Sequence, residues 1–285
     1  MSKLVYQPVD DFFIEVSLIN LNTLFNEQLF LVEIEEKEQN KIREFLENVK
    51  NSDIICFPEY SYNENLYDIY KSFSDENNVI IIGGSGLEPI DDKFYAYTPV
   101  FIPTKDILKV YKKHITIDER TLSKGKLIPY PNPTERDFRI VKNDFDFIFS
   151  VFICYDFLQE NYNERTDIVF IPQYETSPKH FINTANSIVQ GRDNFVFGVN
   201  NSDNTSLRSL GFANLNKSIM DSFIKFKIRK KEYKDNVGEH LLEHFTLVYD
   251  VTEERVLTFR LNLAKPVPKP YNFSRQNYEP NVMLI

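Results

Sequence analysis

The chain alternates short apolar runs with segments whose apolar residues recur at helical spacing. Runs rich in Ile, Val and Phe predict strands, at residues 12–19, 53–57, 79–82, 94–102, 107–111, 138–141, 145–153, 167–171 and 195–199. Helical periodicity predicts helices over residues 35–48, 67–73 and 181–192. A turn at 103–106 predicts that the strands on either side form a hairpin. Strands that alternate with helices and include a hairpin are typical of a mixed α/β protein.

Composition and charge are those of an ordinary globular protein. The 285 residues are 42% hydrophobic and 26% charged, which suits one large domain or two small ones. The formal net charge of −9 disfavours nonspecific binding to nucleic acid or to anionic membranes. A basic, alternating run at 224–231 is therefore interpreted as a strand with a solvated face, and a nucleic-acid patch is the less favoured alternative.

Apolar stretches are too short for a membrane span, because none reaches the ~20 residues that a helix needs to cross a bilayer. Residues 1–6 lack the apolar core of a signal peptide, so we expect a cytoplasmic location. The two cysteines, Cys56 and Cys154, form no Cys-x-x-Cys pair, and we expect neither a disulfide nor a zinc site. Cys56 lies inside an apolar strand and is expected to belong to the core. The glycine-rich run at 83–86 lacks the spacing of a phosphate loop and predicts a tight turn.

Three chemically reactive side chains follow predicted strands. Glu59 follows Phe-Pro, Lys112 begins Lys-Lys-His, and Cys154 begins Cys-Tyr-Asp. Strand ends can meet at one edge of a sheet, so the three side chains could share a pocket. A thiol attacks a carbonyl or nitrile carbon well only when its proton is removed. Glu59 could be that general base, and the Lys112 ammonium could stabilise the resulting oxyanion.

The order and separation of these motifs resemble the carbon–nitrogen hydrolase (nitrilase) superfamily. The family has its glutamate in a Pro-Glu turn, its lysine in Lys-x-His and its cysteine in Cys-Tyr-Asp. The segment 192–194, before the apolar run at 195–200, also looks like the family's arginine–asparagine helix end. The resemblance spans roughly residues 10–200 and implies an α/β fold of four layers, an αββα sandwich with mixed sheets. It predicts a nitrilase-like domain over 1–264 and an extended C-terminal tail over 265–285.

The resemblance also implies roles for particular residues. The family's lysine stands two positions before the histidine, which favours Lys112 over Lys113. A second glutamate that orients the lysine and the substrate is expected at Glu119, with Asp118 as the competitor. The family further implies a homodimer, with residues 173–182 and the tail in contact, and no cofactor.

Three tyrosines beside the predicted strand ends are candidates for contact with a small-molecule substrate. They are Tyr60, Tyr155 and Tyr174, and the backbone N–H of Tyr155 is also expected to help bind the oxyanion. Tyr62 is a further candidate, and buried tyrosines with satisfied hydroxyls are the alternative for all four. Arg192 could hold a polar end of the substrate or pair with a carboxylate.

The implied function is hydrolysis of a non-peptide carbon–nitrogen bond, in a small amide, carbamoyl compound or nitrile, through a thioester on Cys154. After Cys-Tyr-Asp the chain reads Phe-Leu-Gln-Glu where the family commonly has Arg-Phe-Pro-Glu. This difference at the pocket rim predicts a substrate remote from those of well-known members. A sensing or scaffolding module that captures a ligand without turnover is the alternative. A cysteine–histidine peptidase would instead need His114 or His180 beside Cys154.

Overall fold

Two large sheets and five helices make up the described part of the chain. The computed structural model describes residues 13–22, 24–142, 145–160, 165–175, 179–189, 194–201, 210–214, 246–250, 254–263 and 282–284. The strands are β1 (Phe13–Asn20), β2 (Phe25–Asn26), β3 (Leu31–Val32), β4 (Ile54–Cys56), β5 (Ile80–Ile82), β6 (Gly86–Ile90), β7 (Lys93–Phe101), β8 (Leu108–Tyr111), β9 (Asp137–Lys142), β10 (Phe145–Val151), β11 (Ile168–Gln173), β12 (Phe195–Asn200), β13 (Leu210–Asn214), β14 (Thr246–Asp250), β15 (Arg255–Asn262) and β16 (Val282–Leu284). The helices are α1 (Glu36–Asn48), α2 (Tyr67–Asn77), α3 (Ile117–Leu122), α4 (Asp156–Gln159) and α5 (Lys179–Val189).

The predicted strands and helices are present, with bounds that differ by a few residues. The predicted hairpin is formed by β7 and β8, which pair antiparallel. The mixed α/β class is therefore confirmed. The sequence analysis did not predict β2, β3, β6 and the strands after β12, nor the short helices α3 and α4.

Parallel strands lie at the centre of each sheet. The first sheet has the order β15-β1-β4-β5-β7-β6, with β8 paired to β7, and β1, β4 and β5 run parallel. The second has the order β14-β13-β12-β11-β10-β9-β16, with β10, β11 and β12 parallel. Because parallel strands share a direction, the segments that follow β4 and β10 leave their sheets at carboxyl ends, where α/β proteins place their sites.

The two sheets share one apolar core. A single buried cluster contains side chains of both sheets, and the rings of Phe197 and Phe259, one from each, lie 5.3 Å apart. Helices α1 and α2 pack on the other face of the first sheet, where Ile42 and Tyr70 join the strand residue Ile81. Helix α5 packs on the other face of the second sheet. The expected four-layer sandwich requires this arrangement.

Part of the expected tail forms a strand, because β16 pairs parallel with β9 at the edge of the second sheet. The rest of 265–285, the basic run at 224–231 and Arg192 lie outside the described residues. The domain boundary at 264 therefore stays a prediction. No helix in the described ranges is long and apolar enough to cross a membrane. Cys56 is a buried free thiol in the core, as expected.

Candidate active site

Three strand ends bring Glu59, Lys112 and Cys154 together in the interior. Glu59 lies in the turn after β4, Lys112 directly follows β8, and Cys154 lies three residues beyond β10. The Lys112 Nζ donates a hydrogen bond to Glu59 Oε1 at 2.8 Å. Burial raises the pKa of Glu59, and the Lys112 ammonium and the Cys154 thiol oppose that rise, which places the thiol beside the carboxylate. Ammonium, carboxylate and thiol thus form one buried cluster.

Cys154 occupies a tight turn between a strand and a helix. Its φ of +46° is in the left-handed region, which non-glycine residues enter at a cost and mostly at functional sites. Its N–H donates to the carbonyl of Pro172 at 2.9 Å, and its own carbonyl accepts from the N–H of Phe157 at 3.1 Å. A nucleophile on such a sharp turn has its side chain held apart from both elements that flank it.

Contacts to the second sheet position the Glu59 backbone. Its N–H donates to the carbonyl of Gln173 at 3.3 Å, at the end of β11. Its carbonyl accepts a hydrogen bond from Asn201 Nδ2 at 2.6 Å, just beyond β12. The carboxylate, which comes from the first sheet, is therefore fixed by the sheet that carries the cysteine.

Gly84 allows the Glu59 turn to lie against β5. The glycine has a φ of +76°, and a Cβ placed on it would lie 2.1 Å from Ser61 Oγ and 2.3 Å from the carbonyl oxygen of Pro58. Ser61 Oγ itself donates to the Pro58 carbonyl at 2.6 Å. The tight turn predicted at 83–86 is wrong, because the chain continues from β5 into β6 along the same neighbouring strand, β7. Gly84 instead has a packing role that the pattern did not reveal.

Glu119 is the second carboxylate that holds Lys112. It lies in α3, where a reciprocal capping box with Thr116 fixes its backbone and side chain. Its Oε1 accepts hydrogen bonds from the Lys112 ammonium and, at 2.7 Å, from the Tyr60 hydroxyl. Asp118, the competing carboxylate, is exposed. Lys113 points elsewhere and donates to the carbonyl of Tyr130 at 2.9 Å.

Asp156 joins the cysteine turn to the lysine segment. Its carboxylate accepts from the N–H of Lys113 at 3.0 Å and from the N–H of His114 at 2.7 Å. The Asp156 side chain is almost fully buried. If its carboxylate were removed, water could not readily take its place as the acceptor for the two backbone N–H groups. The segment that begins with Lys112 is therefore attached directly to the turn that presents Cys154.

The two glutamates differ in their readiness to take a proton. Burial raises the pKa of Glu59 to about 7, with the Lys112 ammonium opposing the rise and the Glu119 charge adding to it. Burial also acts on Glu119, but the ammonium of Lys112 outweighs it and holds its pKa below the usual value. Glu119 therefore stays ionised near neutral pH, while Glu59 can gain and lose a proton. A pair of carboxylates with pKa values moved apart in this way is typical of acid–base catalysis.

The same carboxylate charges raise the pKa of both Lys112 and Cys154. Burial alone would lower the pKa of Lys112, but the carboxylates of Glu119 and Glu59 outweigh it and raise that pKa well above its usual value. Burial, and then the charge of Glu59, raise the pKa of Cys154, with Lys112 and the N–H of Tyr174 opposing them. At rest the sulfur is therefore a protonated thiol that needs a base.

The candidate tyrosines have different surroundings. Tyr60 is buried with a φ of +55° and bonds to Glu119. Tyr174 is half-buried, and its backbone N–H bonds to the Cys154 sulfur. Tyr155 is half-buried at the start of α4, directly after the cysteine. Tyr62 packs inside the core, with its ring 6.1 Å from that of Tyr70, but among the described residues its hydroxyl lacks the hydrogen-bond partner that the buried alternative required.

Of the described histidines, His114 lies against carboxylates and His180 is exposed. His114 Nδ1 lies 3.1 Å from Asp156 Oδ1 and 3.5 Å from Glu160, and His180 is exposed in the first turn of α5. Neither is among the groups that dominate the pKa of Cys154. The ligand atoms of His114, Asp156 and Glu160 do lie within 4.8 Å of one another. Asp156 is engaged by backbone N–H groups and Glu160 by the Arg136 guanidinium, so we propose no metal there.

Sequence reasoning missed two residues that support this site. Asp156 was recognised only as part of a motif, and Asn201 lay past the last matched segment. The signal for Asn201 was available, because a polar residue directly after a buried parallel strand lies at the edge where sites form. Gly84 could not be distinguished from any other turn glycine.

Comparisons of sequence alone find no match among protein-family models or curated proteins. Comparisons of structure find several similar proteins. Nit3 of Saccharomyces cerevisiae, a member of branch 10 of the nitrilase superfamily, matches with a TM-score of 0.58 at 14% identity, over 94% of this chain and 99% of that one. A CN-hydrolase superfamily protein from Xanthomonas campestris, with an arsenic adduct in its active site, matches with a TM-score of 0.57 at 12% identity, over 89% and 92%.

An amidase variant from Nesterenkonia sp. AN1 also matches, with a TM-score of 0.56 at 10% identity, over 87% of this chain and 90% of that one. That structure shows the acetamide moiety of fluoroacetamide added covalently to the active-site cysteine. At identities this low, the structural matches establish the fold alone. The chain has the fold of the nitrilase superfamily. The fold that the motifs implied is thereby confirmed.

Proposed function

We propose that this protein, which has the nitrilase fold, is a divergent member of that superfamily and hydrolyses the carbon–nitrogen bond of a small amide, carbamoyl compound or nitrile. Cys154 is the nucleophile, Glu59 the general base and acid, and Lys112 the oxyanion stabiliser. Glu119 holds Lys112 in place and keeps it charged. The observation that carries the proposal is the buried contact of one ammonium with two carboxylates, next to a thiol whose pKa all three charges affect.

In the first half-reaction with an amide, the Cys154 sulfur attacks the carbonyl carbon while its proton passes to Glu59. The carbonyl oxygen becomes an oxyanion, which the Lys112 ammonium stabilises in the buried site. The backbone N–H of Tyr155 is proposed as a second donor. Glu59 then returns the proton to the nitrogen, the carbon–nitrogen bond breaks, and an acyl thioester with free amine results.

In the second half-reaction, water attacks the thioester carbon and loses a proton to Glu59. The carbon–sulfur bond breaks, the carboxylic acid leaves, and the proton on Glu59 returns to the sulfur. A glutamate whose pKa is about 7 suits both directions, because it accepts and donates with similar ease at neutral pH. Tyr60 and Tyr174, beside Glu119 and the sulfur, are proposed to contact the substrate.

The similar structures support this chemistry without establishing it here. One is that of an amidase whose active-site cysteine carries a covalent acetamide group, and another has an arsenic adduct in its active site. We propose that Cys154 is the equivalent reactive cysteine. A cytoplasmic location and the lack of a nucleic-acid partner stay predictions.

Release of ammonia or amine from a panel of short amides, carbamoyl compounds and nitriles tests the proposal. Wild type should turn over at least one of them, and Cys154→Ala should lose at least about 1,000-fold in kcat. Cys56→Ala, which removes the other thiol, is the matched control and should retain turnover. Turnover by Cys154→Ala at the wild-type rate would refute the assignment. A stable adduct on Cys154 without turnover would instead favour the capture module.

A further inference from the structure

The candidate nucleophile is enclosed. Cys154 is 5% exposed, and Glu59 and Lys112 are each 1% exposed. A substrate must place a carbon in contact with the sulfur, so it has to pass the side chains that cover the site. The residues that provide this cover therefore control access to the thiol.

A small hairpin next to the site is built so that it can move. Strands β2 and β3 pair with each other at Phe25↔Val32 and Asn26↔Leu31, and they form a two-stranded sheet apart from both large ones. The tip residues, 27–29, are exposed. A ladder this short, with a solvated tip, belongs to the class of elements that open locally at little cost.

The Phe25 ring packs against two tyrosines that touch the site and also contact each other, with centroids 5.7 Å apart. It stacks on Tyr60, with centroids 4.3 Å apart and planes 14° apart, and meets Tyr174 edge-on at 5.9 Å. Tyr60 bonds through its hydroxyl to Glu119, and Tyr174 bonds through its backbone N–H to the Cys154 sulfur. Phe25 therefore covers the two residues that border the reactive groups.

The two strands of the hairpin make different contacts with the rest of the protein. On the β3 side, the Phe30 ring lies 6.0 Å from that of Phe94, and the Val32 carbonyl accepts from Asn63 Nδ2 at 3.1 Å. On the β2 side, the Tyr174 hydroxyl donates to Glu27 Oε1 at 2.9 Å in an exposed position. A solvated hydrogen bond exchanges readily with water, so β2 is the side that can lift.

We propose that the hairpin 25–32 is a gate over the Cys154 thiol, that Phe25 is its plug, and that it selects substrates by size. This rests on the proposed function, in which the gated thiol is the nucleophile. Lifting β2 withdraws Phe25 from the two tyrosines and admits the substrate. Closure restores the aromatic cover over the occupied site.

Alkylation of the thiol tests the gate without requiring turnover. Full-length protein is treated with iodoacetamide, a small reagent, and separately with a bulky fluorescein iodoacetamide, and the labelled peptides are quantified by mass spectrometry. Phe25→Ala should accelerate labelling of Cys154 by the bulky reagent at least tenfold, and by the small reagent less. The ratio of the two rates separates access from reactivity, because a change in thiol pKa would affect both reagents alike.

Two further variants test the hydrogen bond between the Tyr174 hydroxyl and Glu27. Tyr174→Phe keeps the ring and removes the hydroxyl that bonds to Glu27, so it should raise the bulky-to-small ratio by a smaller factor. Tyr97→Phe removes a comparable hydroxyl, which donates to Glu64 Oε1 at 2.6 Å outside the hairpin, and should leave the ratio unchanged. Cys56, buried in β4, is an internal reference that should stay unlabelled in every variant.

Phe25→Ala and Tyr174→Phe with the same rates and ratio as wild type would overturn the gate. If Cys56 is labelled in Phe25→Ala, the fold itself has opened, and Phe25→Leu, which keeps most of the apolar volume, takes its place in the same comparison. The experiments can refute the gate and the proposed function independently of each other. Gated labelling with no turnover of any amide refutes the function alone, and turnover with ungated labelling refutes the gate alone.

Discussion

Asp156, two residues after the cysteine, accepts a hydrogen bond at 2.7 Å from the backbone N–H of His114, two residues after Lys112. It accepts another from the N–H of Lys113. One buried carboxylate thus sets the position of the lysine segment relative to the cysteine turn. The Cys-Tyr-Asp and Lys-Lys-His motifs are parts of one hydrogen-bonded unit.

Asp156→Ala should therefore impair both folding and catalysis. Two buried N–H donors lose their acceptor, which should lower the free energy of unfolding by about 2–4 kcal/mol. A lysine displaced by 1 Å or so should lower kcat about 100-fold. Denaturant unfolding and steady-state kinetics measure the two effects.

His114→Ala is the matched control, because it keeps the backbone N–H that Asp156 accepts from and removes only the ring. Most of kcat should survive in this variant. A loss as large as that of Cys154→Ala would show that the imidazole takes part in the chemistry, and it would favour the cysteine–histidine alternative instead.

Replacement of Gly84 tests whether close packing positions the Glu59 turn. Gly84→Ala places a Cβ 2.1 Å from Ser61 Oγ and 2.3 Å from the Pro58 carbonyl oxygen, so the turn must shift. Gly125→Ala is the control, since Gly125 has nearly the same φ, +75°, but nothing within 4 Å of a Cβ. The control should lose about 1–2 kcal/mol of stability and keep its activity.

Gly84→Ala should lose more stability than that, and its kcat should fall as Glu59 moves away from the thiol. Thermal unfolding and kinetics on the two variants give the comparison. Equal losses in both would mean that left-handed backbone strain alone matters, and the close approach of the Glu59 turn would have no separate effect.

Much of this architecture could be predicted because its signals are local. Buried parallel strands appear as continuous apolar runs, and Glu59 and Cys154 each lie three residues beyond one. Lys112 directly follows the antiparallel strand β8. The contacts of Asn201 with the Glu59 carbonyl and of Phe25 with Tyr60 were not predictable, since each joins positions far apart in sequence. The strand β15 was missed because polar and charged residues interrupt its apolar pattern, and β16 because it has only three residues.

The pH dependence of the reaction should report Glu59. The general base must be deprotonated, so kcat/KM should rise with pH and level off, with an apparent pKa of about 7. Glu119→Gln removes a negative charge that raises the pKa of Glu59, so the inflection should move to lower pH even as kcat falls. An inflection that stays in place, or rises, would exclude Glu59 as the titrating base.

The expected homodimer can be measured directly. Light scattering at micromolar concentration should give twice the chain mass of 33.7 kDa. The residues 173–182 and the C-terminal tail are the predicted contacts, so charged substitutions on the exposed first turn of α5, such as His180→Glu, should weaken the association. A monomeric mass for the wild type would refute the prediction.

The central claim is that the acyl half of the substrate becomes bonded to the sulfur of Cys154. Rapid acid quenching during turnover, followed by intact mass and peptide mapping, tests it most directly. We predict a mass increase equal to the acyl group, located on the peptide that contains Cys154, formed and lost at rates consistent with kcat. The same adduct should be absent from Cys154→Ala and should persist in Glu59→Gln if any forms there, since deacylation has lost its base. Turnover without an adduct at Cys154, or turnover retained by Cys154→Ala, would contradict the account.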